Sequence, residues 1–141
     1  MKLLDGRTVT EIRKFSFTAA EVTALSATDV VASIAVPGNT LITSVFIVSD
    51  DLDSDASPTL EIDVGFSAYK DFDGDTVAAD ASAIANSLAI TETGGEDIQD
   101  TLLMIGADGV TLEATVESTA ATGDAGDIRI GYTGVAVPSG S

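Results

Sequence analysis

Val110-Thr111-Leu112-Glu113-Ala114-Thr115-Val116-Glu117 alternates apolar and polar residues without a break. Successive side chains of a β-strand point to opposite faces, so a period of two predicts a strand with one buried and one wet face. The same alternation returns at Leu60-Glu61-Ile62-Asp63-Val64-Gly65-Phe66 and at Ile128-Arg129-Ile130-Gly131-Tyr132-Thr133. No comparably long stretch repeats at 3.6 residues, the period of an amphipathic helix. The chain therefore reads as all-β.

The remaining segments fill in around these three. Residues 30–36 and 41–48 are apolar on both faces, which predicts central strands or an interface. Pro37-Gly38-Asn39 lies between them and predicts a tight hairpin, because Pro ends a ladder and Gly-Asn tolerates positive φ. An early strand is expected over 11–17. Thr18-Ala19-Ala20-Glu21 has capping-box spacing and predicts one helical turn. The Ala-rich stretch 78–90 carries two signals, a helix capped by Asp80 and a strand over 87–91, and the strand is preferred. A short strand is expected over 101–105, followed by a turn at Gly106-Ala107-Asp108-Gly109. About eight short strands separated by turns predict an antiparallel β-sandwich of the jelly-roll kind.

At 141 residues the chain fits one domain with one core. Hydrophobic residues make up 45% of it but aromatics only 5%, which suits a thin core between two packed sheets. No apolar run approaches the ~20 residues of a membrane-spanning helix. Met1-Lys2-Leu3-Leu4 runs at once into Asp5-Gly6-Arg7, so no signal-peptide core develops and none is expected. The chain has no cysteine, which excludes disulfides and thiolate metal sites and leaves the redox compartment open.

Histidine is absent as well, and with it the imidazole base of a catalytic triad and the usual nitrogen ligand of zinc. Paired carboxylates can hydrolyse glycosides. Nothing in the sequence singles out one pair among 23 acidic residues, and no tryptophan is present to grip a sugar. Catalysis is therefore not expected.

Charge is the dominant feature, with 23 acidic against 6 basic residues and a net of −17. Nucleic acid and anionic membranes would be repelled, so neither is expected as a partner. The distribution is polar along the chain. Residues 1–14 hold Lys2, Arg7, Arg13 and Lys14 against Asp5 and Glu11, a net of +2. The other 127 residues hold two cations against 21 acids, a net of −19. The chain thus divides into a basic N-terminal arm at 1–14, a β-sandwich domain at 15–137 and a coil at 138–141. The arm is expected to dock on an acidic partner surface or on a neighbouring copy.

Asp71-Phe72-Asp73-Gly74-Asp75 is the leading metal candidate, with Asp71, Asp73 and Asp75 as carboxylate ligands for calcium. The EF-hand pattern fails, since its sixth-position glycine falls on Thr76 and its twelfth-position glutamate on Ser82. A solvated acidic turn explains the segment better than a calcium site, and no cofactor is expected. Asp50, Asp51, Asp53 and Asp55 form a second cluster, read as a soluble loop.

Four segments in order carry a resemblance: Ala35-Val36-Pro37-Gly38-Asn39-Thr40-Leu41-Ile42, Thr59-Leu60-Glu61-Ile62-Asp63-Val64-Gly65, Asp71-Phe72-Asp73-Gly74-Asp75 and Ala125-Gly126-Asp127-Ile128-Arg129-Ile130-Gly131-Tyr132. Over residues 30–137 the chain resembles the small β-sandwich decoration, or cement, proteins of tailed-phage heads. The resemblance implies a jelly-roll-like, often trimeric virion protein seated on the major capsid protein at the outer surface of the capsid. It also leaves room for another head or tail component. The Asp71–Asp75 loop alone would suit a calcium- or glycan-binding extracellular module.

Overall fold

The computed structural model describes residues 7–90 and 94–137. Two four-stranded antiparallel sheets pack face to face, and a small hairpin closes one end. The first sheet contains β1 (Thr8–Phe17), β10 (Gly126–Ala136), β3 (Thr40–Ser49) and β8 (Gly95–Ile105), in the order β1-β10-β3-β8. The second contains β2 (Val30–Val36), β9 (Val110–Ser118), β4 (Glu61–Phe66) and β7 (Asp80–Ala89), in the order β2-β9-β4-β7. Hairpin β5 (Tyr69–Lys70) and β6 (Thr76–Val77) stands apart. Nearly every connection passes from one sheet to the other, and this order of strands is that of a jelly roll. The expected all-β sandwich is thus the fold, with the two-stranded hairpin added to its eight strands.

The alternation does what the sequence implies. Leu112, Ala114 and Val116 of β9, Ile62 and Val64 of β4, and Ile128, Ile130 and Tyr132 of β10 are all buried. Ile34, Ile42, Val45 and Ile47 complete the layer between the sheets. The Thr18 capping box forms, with the Glu21 N–H donating to Thr18 Oγ1 at 3.2 Å and the Thr18 N–H to Glu21 Oε1 at 3.0 Å. It starts α1 (Ala19–Thr23), one turn that drops Val22 into the core.

Three expectations change. Residues 37–39 do not close a hairpin: β2 pairs with β9 and β3 with β10 and β8, so the reversal carries the chain across the sandwich. Asn39 takes the positive φ, at 57°. Gly38 is needed for closeness instead, because a Cβ there would lie 2.1 Å from the Ala107 carbonyl oxygen of the neighbouring turn. Second, β2 is an edge strand and only β3 is central. Third, β1 begins at Thr8, and residues 8–14, assigned to the arm, pair with β10 from Thr8↔Val135 to Lys14↔Arg129. The β-branched Thr8-Val9-Thr10 and Ile12 favour that strand despite the charges around them. Residues 138–141 and 1–6 of the expected coil and arm lie outside the described residues.

Tyr132 is fully buried, and its hydroxyl has no hydrogen-bond partner among the described residues. Burial, helped by nearby Glu11, holds its phenol above the usual tyrosine range. A buried unpaired polar group costs about 1–3 kcal/mol. Tyr132→Phe is therefore expected to stabilise the fold by about 1 kcal/mol, read as a raised urea midpoint at unchanged slope. An unchanged or lowered midpoint would show that the hydroxyl is satisfied.

Candidate functional site

The cations come first, because an acidic chain concentrates its attraction where they stand. Lys2 lies outside the described residues. Arg7 is exposed just before β1, and its carbonyl accepts from the Ala136 N–H at 3.1 Å. Arg13 and Lys14 are exposed on β1, an edge of its sheet. The Arg13 guanidinium lies 5.1 Å from the centre of the Phe15 ring, a cation–π contact. Lys14 pairs across the sheet with Arg129, and Arg129 reaches Asp127 at 3.7 Å. That is the only ion pair among the described residues. Arg7, Arg13 and Lys14 therefore present charge without a carboxylate partner among those residues.

The Asp71–Asp75 turn joins β5 to β6. Asp71, Asp73 and Asp75 bring carboxylate oxygens within 4.8 Å of one another. Asp71 is half-exposed and its Oδ1 already accepts from the N–H groups of Asp73 and Asp75, each at 2.9 Å. Gly74 at φ +83° lets the chain reverse. The arrangement explains an acidic turn fully. Its three carboxylates carry six oxygens, of which Asp71 Oδ1 is already engaged by two N–H groups. Asp80 lies away from them and accepts from the Ser82 N–H at 3.1 Å.

The second acidic cluster holds a residue that the loop reading missed. Asp53 is fully buried. Its carboxylate accepts from the N–H groups of Thr59 at 2.8 Å and Leu60 at 3.2 Å, and of Ala121 and Thr122 at 2.9 Å each. It thereby ties the β3–β4 loop to the β9–β10 loop. Burial pushes its pKa up, but these bonds together outweigh that and hold it at about 2. A signal exists in the spacing: Asp51, Asp53 and Asp55 each accept from the N–H two residues on, a run of Asx turns ending at Ser57.

Asp63 and Glu117 meet on the outer side of the β2-β9-β4-β7 sheet, both bonded to Ser87 of β7. Burial holds Asp63 above the usual carboxylate range, and the Ser87 hydroxyl holds Glu117 below it. Nearby Glu117 and Glu61 add to the upward push on Asp63. A groove of ≈450 Å³ at the hairpin end is lined by Ser67, Tyr69, Lys70, Thr76, Asp108 and Thr111 among others. No described helix is long and apolar enough to cross a membrane.

The strand order and the two-layer core define a jelly roll whose chemistry lies on its surfaces. No family model and no curated protein matches the sequence. Among solved structures, the fold is similar to a chain of the cyanophage Pam1 capsid asymmetric unit, at TM-score 0.66 and 19% identity over 93% of this chain and 86% of that one. It is similar to a chain of the Ralstonia phage GP4 capsid at TM-score 0.62 and 20% identity, again over 93% and 86%. A chain of infectious bursal disease virus, Gt strain, follows at TM-score 0.51 and 15% identity, where 97% of this chain covers 34% of that one. At these identities the likeness is one of fold.

Proposed function

We propose that this chain is a non-catalytic structural virion protein that decorates and stabilises the outer surface of a tailed-virus capsid. The observation that carries the reading is the extent of the likeness to the two phage capsid chains, 93% of this chain against 86% of each. The likeness runs over nearly the full length of both chains in each case. The four-segment sequence pattern points the same way independently. The partners of this reading are the major capsid protein and further copies of the chain, as a trimer. A decoration protein needs only modest contacts repeated many times, because multivalency converts them into firm attachment.

The basic end supplies the contact to the shell. Arg7, Arg13 and Lys14 are exposed and lack carboxylate partners among the described residues. Since residues 8–14 form β1, deleting the whole basic segment would remove an edge strand. Charge reversal keeps the strand and isolates the electrostatics. The double variant Arg7→Glu, Arg13→Glu, which leaves Lys14 in place, is expected to cut occupancy on heads of the encoding phage about tenfold at low salt, counted by quantitative gel analysis of purified particles. Full occupancy would remove these cations from the mechanism. Cryo-electron microscopy of the same particles tests the reading as a whole. Jelly-roll density outside the shell supports it, density in the tail or neck makes the chain another particle component, and absence from particles overturns it.

A further inference from the structure

The outer face of the β1-β10-β3-β8 sheet is built unlike the rest of the surface. Its rows follow from the strand registers. One row runs Ile12–Gly131–Phe46–Ile98 and another Thr8–Val135–Leu41–Met104. Gly131 matters because a Cβ there would lie 2.4 Å from the Phe46 ring, so that ring lies across β10 on the outside. Ile12 is 57% exposed, Ile98 66% and Met104 47%. Of the seven large hydrophobic residues exposed among the described residues, Ile12, Val48, Ile98, Leu102 and Met104 belong to this sheet. The opposite sheet shows water Glu61, Asp63, Glu113 and Glu117 in the alternation expected of a wet face. Apolar side chains exposed in two rows on one sheet of a highly charged domain mark an interaction site.

The charges on this face say what covers it. The row above Ile12 reads Lys14–Arg129–Val48–Glu96, and the row below reads Thr10–Thr133–Ser44–Asp100. Lys14 stands uncompensated on β1, Arg129 on β10 is offset by Asp127, and Glu96 and Asp100 stand at the β8 margin. Such a face complements itself. Two copies apposed about an axis along the strands put the β1 margin of each against the β8 margin of the other, and Lys14 meets Glu96. Three copies turned toward a common axis bring the same margins together. Both arrangements direct the acidic opposite sheet outward, where copies of a −17 chain repel least. Four strands about 4.8 Å apart and ten residues at about 3.3 Å each give a face on the order of 600 Å² in projection. A stable interface takes roughly 800 Å² of accessible surface per partner, and a corrugated sheet face exceeds its projection.

We infer that the outer face of the β1-β10-β3-β8 sheet is where copies of this chain bind one another, Lys14 of one against Glu96 of the next. The inference rests on the sheet and not on a virion location, so a failure to bind particles leaves it standing. Native mass spectrometry and sedimentation equilibrium on the full chain test it. The wild type is expected to be a closed dimer or trimer, and Ile98→Glu, at an exposed position that the fold tolerates, is expected to be monomeric with an unchanged circular dichroism spectrum. Lys14→Glu and Glu96→Lys should each raise the dissociation constant about tenfold, and the double variant should recover most of that loss. A wild type that stays monomeric at its highest soluble concentration overturns the inference. So does an oligomer indifferent to Ile98→Glu, or a double variant no better than either single one.

Discussion

Asp53→Ala is expected to cost the fold about 3–4 kcal/mol, the largest loss of any single loop substitution. Five backbone N–H groups from two loops converge on this one carboxylate, at 2.8–3.3 Å. Each donor left unpaired in a buried place costs about 1–3 kcal/mol, less where water enters the opened loop. Asp53→Asn keeps one acceptor oxygen and should recover part of the loss. Urea unfolding at neutral pH measures both. The same residue carries a pH dependence. Its pKa is about 2 in the fold against 3.8 for an ordinary aspartate. The folded value is the depressed one, so its contribution is complete above about pH 4 and disappears as pH falls through about 2, on the order of 2 kcal/mol in all. Between those limits the wild type should lose stability more steeply than Asp53→Asn. Parallel curves would mean that the carboxylate's charge contributes nothing.

Gly65→Ala is expected to cost about 3 kcal/mol by another route. A Cβ on Gly65 would lie 1.9 Å from the Asp80 carbonyl oxygen and 2.4 Å from the Ala81 carbonyl carbon. Both are backbone atoms and cannot swing aside. The closeness comes from the irregular pairing of β4 with β7, where Val64 opposes Ala85 but Phe66 opposes Asp80. The extra residues of β7 fold over Gly65. Gly74→Ala is the matched control, because nothing lies within 4 Å of its Cβ position and only its φ of +83° is strained. That change should cost about 1 kcal/mol. Equal losses at the two positions would refute the steric account of Gly65.

The contrast also shows what a sequence discloses. Strands β4, β9 and β10 are legible because each has one wet and one dry face, and alternation records that difference directly. The capping box of α1 is legible because its bonds are local. β7 is ambiguous because its Ala-rich residues pack weakly and its pairing is irregular, so neither period dominates. Pro37-Gly38-Asn39 declares a reversal, but which sheet receives the next strand depends on β9 and β10, far along the chain. Asp53 is half legible: its bonds to Asp55, Thr59 and Leu60 lie within one loop and leave the Asx spacing as a trace, but those to residues 121 and 122 come from a distant loop. The cations are visible by count, yet their place on a sheet edge depends on β10. Of the self-complementary face, only the two-sided apolar run at 41–48 shows in the sequence. The charges that flank it come from β1 and β8.

One pairing has a consequence for how the molecule is made. Among the described residues β1 is the first strand and pairs only with β10, the last, with Thr8 opposite Val135. β2 likewise waits for β9. During synthesis β1 therefore has no strand partner until β10 has emerged. Closing such long loops before any pairing rewards them makes folding slow. The nascent chain meanwhile exposes apolar strands, and its surplus of like charge keeps neighbouring nascent chains apart until the final strand locks the sandwich.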